Sequence, residues 1–234
     1  MAFRKKLNSI MQYNPDILIL QECEHPEKIN FEDFNRPIID NIWIGDNKSK
    51  GLAIFSFYSK LQILDCYNPE YIYILPLKCD DFYILAVWAM NNKSHPSKRY
   101  IAQVWLALNE YVNILEESTL IIGDFNSNKI WDHDRPVRIA NHSQVVDYLA
   151  KFNIFSIYHK YHKEDQGNES INTFYMYRNI SKGYHIDYCF ASNSLYNIIT
   201  NFTIDEYHNW MNYSDHCPII LDLNVTKPRK SAYN

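Results

Sequence analysis

The chain has 234 residues, a formal net charge of −4 and an apolar fraction of 47%. This length fits one large domain, and the apolar content is high enough to exclude a disordered chain. The acidic balance excludes a broad basic surface for tight, sequence-independent binding of nucleic acid, but it permits a local basic rim.

The cysteine pattern and the first residues point to a compartment. The five cysteines form no CxxC pair, and four lie inside or beside apolar runs, as is typical of buried free thiols. The basic start is not followed by the apolar segment of a signal peptide, and no apolar stretch is long enough to cross a bilayer. The sequence therefore predicts a reducing, cytoplasmic location, no membrane contact and a monomer.

The chain opens with a predicted helix. Phe3, Leu7, Ile10 and Met11 recur at helical spacing, and the pattern stops at Asn14-Pro15 because proline disfavours helix in the residue before it. Residues 16–20 then predict a strand that is buried on both faces. This strand ends in a polar cluster, residues 21–24.

A β-rich region and a second helix follow. Four runs separated by turn residues predict an antiparallel meander over residues 51–58, 61–67, 71–77 and 82–89. Helical periodicity returns over residues 99–116, and residues 119–122 predict a strand. A second polar cluster, residues 123–126, ends this strand.

The last third of the chain returns to strands. Asn141 is the expected N-cap of a helix that runs to Phe152. Further strands are predicted over residues 173–177, 184–191, 200–207 and 217–223. We expect a single domain over residues 1–225, followed by a polar tail, residues 226–234. Many strands with a few helices indicate two stacked mixed β-sheets with helices outside them.

Four short segments combine carboxylates with histidine and amide side chains at predicted strand ends. They are Gln21-Glu22, Gly123-Asp124-Phe125-Asn126, His185-Ile186-Asp187-Tyr188 and Ser214-Asp215-His216-Cys217-Pro218. Each segment alone is more often a turn or a cap. Together they supply what phosphoester hydrolysis requires: oxygen ligands for a hard cation, a group that orients water, and donors for the phosphoryl oxygens.

In this order, the four segments resemble the motifs of the endonuclease/exonuclease/phosphatase superfamily, which includes deoxyribonuclease I and the abasic-site endonucleases. The resemblance covers residues 16–223. It implies an α/β fold, a four-layer sandwich of two packed mixed β-sheets with helices outside. It also implies an active site at one edge of the sheets and dependence on Mg²⁺ or Mn²⁺.

The resemblance implies a role for each matched residue in metal binding. Glu22 corresponds to the principal metal ligand, and Asp215 is expected to assist a metal ion or a water molecule. Thr173, at the head of a strand, matches a position where the family often has threonine near the metal.

It also implies the catalytic groups. Asp124 would orient or deprotonate the attacking water, and the Asn126 amide would donate to a phosphoryl oxygen. His216 would contact the scissile phosphate, with Asp187 bonded to its other ring nitrogen. A simpler interpretation also stays open, in which Asp187 pairs with a buried tyrosine or arginine and His216 is a core histidine.

A segment between the second and third motifs falls where the family varies its substrate loops. Asn141 and His142 are therefore expected to touch the group that flanks the phosphate. Helix capping explains Asn141 equally well.

The sequence departs from the family pattern in two places. Family members begin with a buried strand ending in an asparagine that helps to hold the metal, and this strand is missing here. Either the true start lies upstream of Met1, which we favour, or the metal site is incomplete. Trp88 stands where related enzymes carry a catalytic histidine or tyrosine, and an indole cannot exchange protons. His95 in the following loop is a candidate substitute.

Three functions are compatible with these features. The first is hydrolysis of phosphodiester bonds in nucleic acid, supported by the motifs and by aromatic residues that can stack on bases. The second is a phosphatase that acts on a small phosphorylated molecule. The third is a catalytically weak relative that serves as a binding protein.

Overall fold

The computed structural model describes residues 3–134 and 138–225, so the predicted polar tail, residues 226–234, lies outside the described residues. The α-helices are α1 Leu7–Met11, α2 Ile101–Glu110, α3 Val112–Leu115, α4 His142–Ala150, α5 Ile157–His162, α6 Asn193–Tyr196 and α7 Tyr207–Trp210. The strands are β1 Ile17–Cys23, β2 Asp40–Asn47, β3 Lys50–Ser56, β4 Leu61–Ile63, β5 Ile74–Cys79, β6 Phe82–Trp88, β7 Thr119–Asp124, β8 Ile154–Ser156, β9 Phe174–Tyr175, β10 Gly183–Tyr184, β11 Asp187–Ser192, β12 Ile199–Ile204 and β13 Ile219–Leu223.

The strands form two larger sheets and two pairs. A mixed six-stranded sheet has the order β4-β5-β6-β7-β11-β8, and an antiparallel sheet has the order β1-β3-β2. The pairs are β9-β10 and β12-β13. Within the six-stranded sheet β6 and β7 run parallel, because the helices α2 and α3 connect them as a crossover. Two multi-stranded sheets with helices confirm the predicted α/β architecture.

The six-stranded sheet is buried on both faces, and this explains its continuous apolar runs. In β6, Ile84 and Ala86 face the core between the sheets, whereas Leu85 and Val87 face a second core under α2, α3 and α4. β7 alternates in the same way, with Leu120 in the first core. Because side chains alternate along each strand, the six-stranded sheet packs with one face on the β1-β3-β2 sheet and with the other face on the helices α2, α3 and α4.

The predicted meander is only partly correct. β4, β5 and β6 are consecutive antiparallel neighbours, but β3 lies in the other sheet between β1 and β2. The strand predicted from residue 71 begins at Ile74, because Tyr73 has a left-handed φ of 64°. The strand predicted over residues 184–191 is interrupted at residues 185–186.

A groove of about 440 Å³ runs between β1 and β13 and reaches Asp187 and His216. In the described part of the chain, β1 pairs only with β3, and β13 pairs only with β12. Phe82, Ile84 and Leu120 lie in its floor. The expectation of a strand upstream of Met1 stays a prediction.

Four of the five cysteines are buried and free, as predicted, and Cys66 is exposed. Within residues 3–134 and 138–225, every helix is too short or too polar to cross a bilayer.

Candidate active site

The second and third motifs meet at one edge of the six-stranded sheet. β7 ends at Asp124 and the antiparallel β11 begins at Asp187, and these two residues are paired in register. On the other side of β7, Trp88 at the end of β6 is the partner of Asp124. A strand end and a strand start therefore place two carboxylates side by side.

The fourth motif is joined to this edge through β9. Cys217 N donates to Thr173 O at 2.7 Å, and Tyr175 N donates to Asp215 O at 2.7 Å. These bonds hold the segment so that His216 Nδ1 lies 2.9 Å from Asp187 Oδ2 and 3.2 Å from Oδ1. The structure thus contains the predicted Asp187–His216 pair.

Thr173 supports the pair from behind. Its hydroxyl oxygen accepts hydrogen bonds from Ile186 N and Asp187 N, each at 3.0 Å, and its side chain is fully buried. In this arrangement Thr173 fixes the backbone that carries Asp187. The predicted proximity of Thr173 to a metal ion stays a prediction.

The charges of the cluster shift the pKa values of its members. Burial opposes the charged form of His216, but the adjacent Asp187 carboxylate outweighs it and raises the pKa of His216 to about 9. Burial, and next the Asp187 charge, raise the pKa of Asp124. The site therefore pairs a carboxyl group that can accept a proton with an imidazole that favours its cationic form.

Asn126 is held against Asp124. Its backbone N donates to Asp124 Oδ1 and its side-chain Nδ2 donates to Asp124 Oδ2, both at 2.8 Å. Nδ2 also donates to Ala89 O at 2.9 Å. Both amide hydrogens are thus engaged in this structure. The predicted donation to a phosphoryl oxygen requires one of these bonds to be exchanged.

Glu22 lies on an irregular part of β1. The pairing of β1 with β3 shifts register between Leu20 and Cys23, and Glu22 has a left-handed φ of 57°. Bulges and strained backbone of this kind often re-aim a side chain beside an active site. The Glu22 side chain is 53% exposed and its Oε1 lies 2.8 Å from Lys50 Nζ.

The ligand atoms for a cation are grouped around the pair. One ligand atom from each of Asp124, Asp187 and His216 lies within 4.8 Å of the others. Glu22 is outside this group, but its charge adds to burial and the Asp187 charge in raising the pKa of Asp124, against the His216 charge and the Asn126 hydrogen bond, which lower it. Asp215 likewise contributes to the raised pKa of His216, after burial and the nearer charges. Carboxylate oxygens predominate in this set, and such a set fits a hard divalent cation.

The two residues considered for leaving-group chemistry are not part of this cluster. Trp88 is only 2% exposed and its ring packs 4.6 Å from that of Tyr73. His95 is exposed in the loop after β6, where its backbone N bonds to Asn92. The indole is a core side chain in this structure.

Asn141 and His142 lie at the start of α4, apart from the cluster. Asn141 forms a capping box with Gln144, as its alternative interpretation predicts. His142 is 1% exposed, packs on Tyr188 and contacts Gln166 through Nε2 at 3.0 Å. Its burial leaves no imidazole surface for a substrate in this structure.

Sequence reasoning missed a buried polar network behind Asp187. Asn128 Nδ2 lies 3.0 Å from Glu169 Oε2, 2.9 Å from His185 O and 3.1 Å from Tyr188 Oη, so its two N–H groups are shared among these three acceptors. His159 Nε2 lies 3.0 Å from Glu169 Oε1. The polar run that follows Asp124 was the available signal for Asn128, whereas nothing near Glu169 marked it as buried.

Comparisons with solved structures give the same fold. The chain is similar to a 3′ phosphatase from Neisseria, NExo, bound to a product DNA hairpin (TM-score 0.66, 16% identity, 96% of each chain covered). It is also similar to an AP endonuclease from Archaeoglobus fulgidus (TM-score 0.67, 19% identity, 96% of each chain). The endonuclease domain of TRAS1, a telomere-specific non-LTR retrotransposon, has a TM-score of 0.59 and 14% identity, with 96% of this chain and 93% of that chain covered.

The family comparison is more direct than these structural likenesses. A search of curated proteins finds no match. The model of the Endonuclease/Exonuclease/phosphatase family matches residues 4–216, which include the first three motifs, Ser214-Asp215-His216 of the fourth, and the Asp124–Asp187–His216 cluster. The chain belongs to the endonuclease/exonuclease/phosphatase family.

Proposed function

We propose that this protein is a divalent-metal-dependent hydrolase of phosphodiester bonds in nucleic acid. The observation that carries the proposal is the convergence of Asp124, Asp187 and His216, with ligand atoms within 4.8 Å of one another. Members of the family are hydrolytic nucleases and phosphatases. The solved relatives include an AP endonuclease, a 3′ phosphatase and a retrotransposon endonuclease, which favours a nucleic-acid substrate.

His216 is suited to hold a phosphoryl oxygen. Asp187 fixes the ring through Nδ1, so that Nε2 is left to face the groove, and the His216 side chain is 32% exposed. A cationic imidazole stabilises negative charge that develops on the oxygen. The Asp187 carboxylate sets both the orientation and the charge of this donor.

Asp124 is suited to act on the attacking water. It is buried at the end of β7, and its pKa, raised to about 8, makes the ionised carboxylate a stronger base than an ordinary aspartate. The two hydrogen bonds from Asn126 hold the carboxylate in one orientation. We infer that Asn126 orients Asp124 before a substrate is bound.

We propose that Mg²⁺ or Mn²⁺ is held by Glu22 with help from Asp215. Such a cation, when bound, stabilises charge on the phosphoryl and leaving oxygens. Glu22 is exposed, and its one ion pair within residues 3–134 and 138–225 is with the exposed Lys50, so its carboxylate is accessible. We also propose that the protein is a monomer and that it lies in the cytoplasm, and the buried free thiols support this location.

The test is hydrolysis of a plasmid, a short single strand and bis-p-nitrophenyl phosphate, with Mg²⁺, Mn²⁺ or EDTA. We expect metal-dependent cleavage, and we expect Asp124→Asn and His216→Ala to lower turnover at least about 100-fold. Asp222→Asn, an exposed carboxylate on β13, is the matched control and should leave turnover unchanged. If the protein hydrolyses none of these phosphoesters with either metal ion, the proposed activity is wrong and the protein is better assigned as a binding protein.

A further inference from the structure

Two loops leave the carboxyl ends of β6 and β7 beside the active site. The first covers residues 89–100 and starts at Ala89, which accepts from Asn126 Nδ2 and donates its N–H to Asp124 O at 2.8 Å. The two ends of this loop are joined by a hydrogen bond that Tyr100 N donates to Met90 O at 2.8 Å. The first loop is thus anchored on Asp124, which carries the proposed catalytic carboxylate, and on Asn126, which orients that carboxylate.

The second loop covers residues 125–141 and returns to the first. Ile139 N donates to Ser97 O at 2.9 Å, so the two loops are joined by a backbone bond. The two loops are therefore neighbours beside the active site. We name the described residues of both loops the paired-loop rim.

The rim is basic although the whole chain is acidic. Its described cations are Lys93, Lys98, Arg99, Lys129 and Arg138. Among the described residues, none of them forms an ion pair. The described rim has two acids, and one of them, Asp132, is occupied as an acceptor for the start of α4. The other is the exposed Asp134, so a net positive charge remains.

Two arginines stand out because of their hydrogen bonds. Arg99 and Arg138 are both half-buried, and within the described ranges the buried Nε atom of each has no hydrogen-bond partner. A buried N–H without an acceptor is costly, so each arginine gains from a side-chain movement that lets its N–H groups donate to an anion. The guanidinium fork matches two oxygens of a phosphate.

The backbone next to Arg99 is strained. Tyr100 has φ 53° and ψ −125°, a backbone conformation that residues other than glycine rarely adopt. The Arg99 guanidinium carbon lies 5.7 Å from the centroid of the Tyr100 ring. The strained residue thus places a cation and an aromatic ring together on the rim.

We propose that Arg99 and Arg138 bind a backbone phosphate of a polynucleotide, next to the phosphate that is cleaved. The inference rests on the proposed function and sharpens it, because it assigns the substrate to polynucleotides rather than small phosphoesters. A small phosphoester fills only the cluster around His216 and gains nothing from a second phosphate site. A strand crosses both sites and uses both.

The experiment compares kcat/KM for a short single-stranded oligonucleotide with kcat/KM for bis-p-nitrophenyl phosphate. We expect the ratio of the two to fall at least about tenfold in the double variant R99Q/R138Q, because two charge-assisted contacts are lost. The salt dependence of oligonucleotide binding should also weaken, with a log–log slope smaller by about 1.4. Lys60 and Lys78, both exposed, give the control K60A/K78A with the same change in charge.

A wild-type enzyme that hydrolyses neither substrate would contradict the proposed function. A wild-type enzyme that cleaves both, with an unchanged ratio and slope in R99Q/R138Q, would overturn the phosphate site alone. A tenfold loss shared equally by K60A/K78A would also overturn it, because the effect would then come from net charge. Using a ratio keeps the test valid when the double variant is only partly folded.

Discussion

At the scale of single residues, the Asp187–His216 pair governs the charge of the site. Asp187→Asn keeps the shape of the side chain but removes the charge that raises the pKa of His216. Burial then dominates, so we expect the pKa of His216 to fall from about 9 to its ordinary value or below. Measuring the imidazole titration by NMR in the metal-free protein checks this expectation.

The same variant carries a kinetic prediction. Loss of the group that orients a catalytic histidine should lower kcat by about 10²–10⁴-fold. The loss should shrink toward low pH, where the imidazole recovers its proton. An unchanged titration of His216 together with wild-type kcat would show that Asp187 is only a structural residue.

The site residues differ in how far the sequence could place them. Asp187 and His216 were predictable as a pair, because their motifs are short and adjoin strands that fix their positions. The conformation of Glu22 was not, since its left-handed φ arises where β1 shifts register against β3. Its bond to Lys50 joins neighbouring strands and leaves no pattern in the sequence.

At the scale of elements, Thr173 ties β9 to β11. Thr173→Val keeps the shape but leaves Ile186 N and Asp187 N without their buried acceptor. We expect a loss of about 2–4 kcal/mol in the free energy of unfolding. Urea denaturation measures it, and Thr200→Val, an exposed threonine of β12, should cost less than about 0.5 kcal/mol. Equal losses in the two variants would contradict the role of Thr173.

The elements that sequence reasoning missed share a physical cause. β2 is half-buried along most of its length and is rich in Asp, Asn and Gly, which favour turns. α5 is short and rich in aromatic and β-branched residues, which favour strands. Both elements are set by packing against neighbours, β2 on β3 and α5 on β11 and β12. Local propensity carries no record of such contacts.

At the scale of the whole molecule, a buried polar network joins α4, α5 and the segment between α5 and β9. His142 Nε2 lies 3.0 Å from Gln166 Oε1, and Gln166 Nε2 lies 3.2 Å from His159 Nδ1. His159 in turn contacts Glu169. Burial lowers the pKa of His142 to about 4, and despite burial the hydrogen bond from His159 helps to lower that of Glu169 to about 2. The folded state thus depends on a neutral His142 and an ionised Glu169.

This network predicts acid sensitivity in two separate windows. The unfolded chain binds a proton on His142 near pH 6.5, whereas the folded chain does so only near pH 4, so stability is lost as the pH falls between these values. The loss is about 3 kcal/mol. The corresponding loss from Glu169 begins only below pH 4.5. Urea denaturation between pH 7 and 4.5 therefore reports on His142 without Glu169.

A matched variant is needed because other groups titrate in the same range. The pKa of Asp124 is raised on folding, so its contribution grows as the pH falls and opposes that of His142. The raised pKa of His216 changes the stability of the fold only above pH 6.5, where the stability it contributes is lost as the pH rises. His142→Gln keeps a donor for Gln166 and cannot be protonated, so the difference between the two proteins isolates the histidine. We expect this variant to lose about 2 kcal/mol less than the wild type from pH 7 to 4.5, because the full loss is reached only below pH 4. Parallel losses would show that His142 does not set the acid limit of the fold.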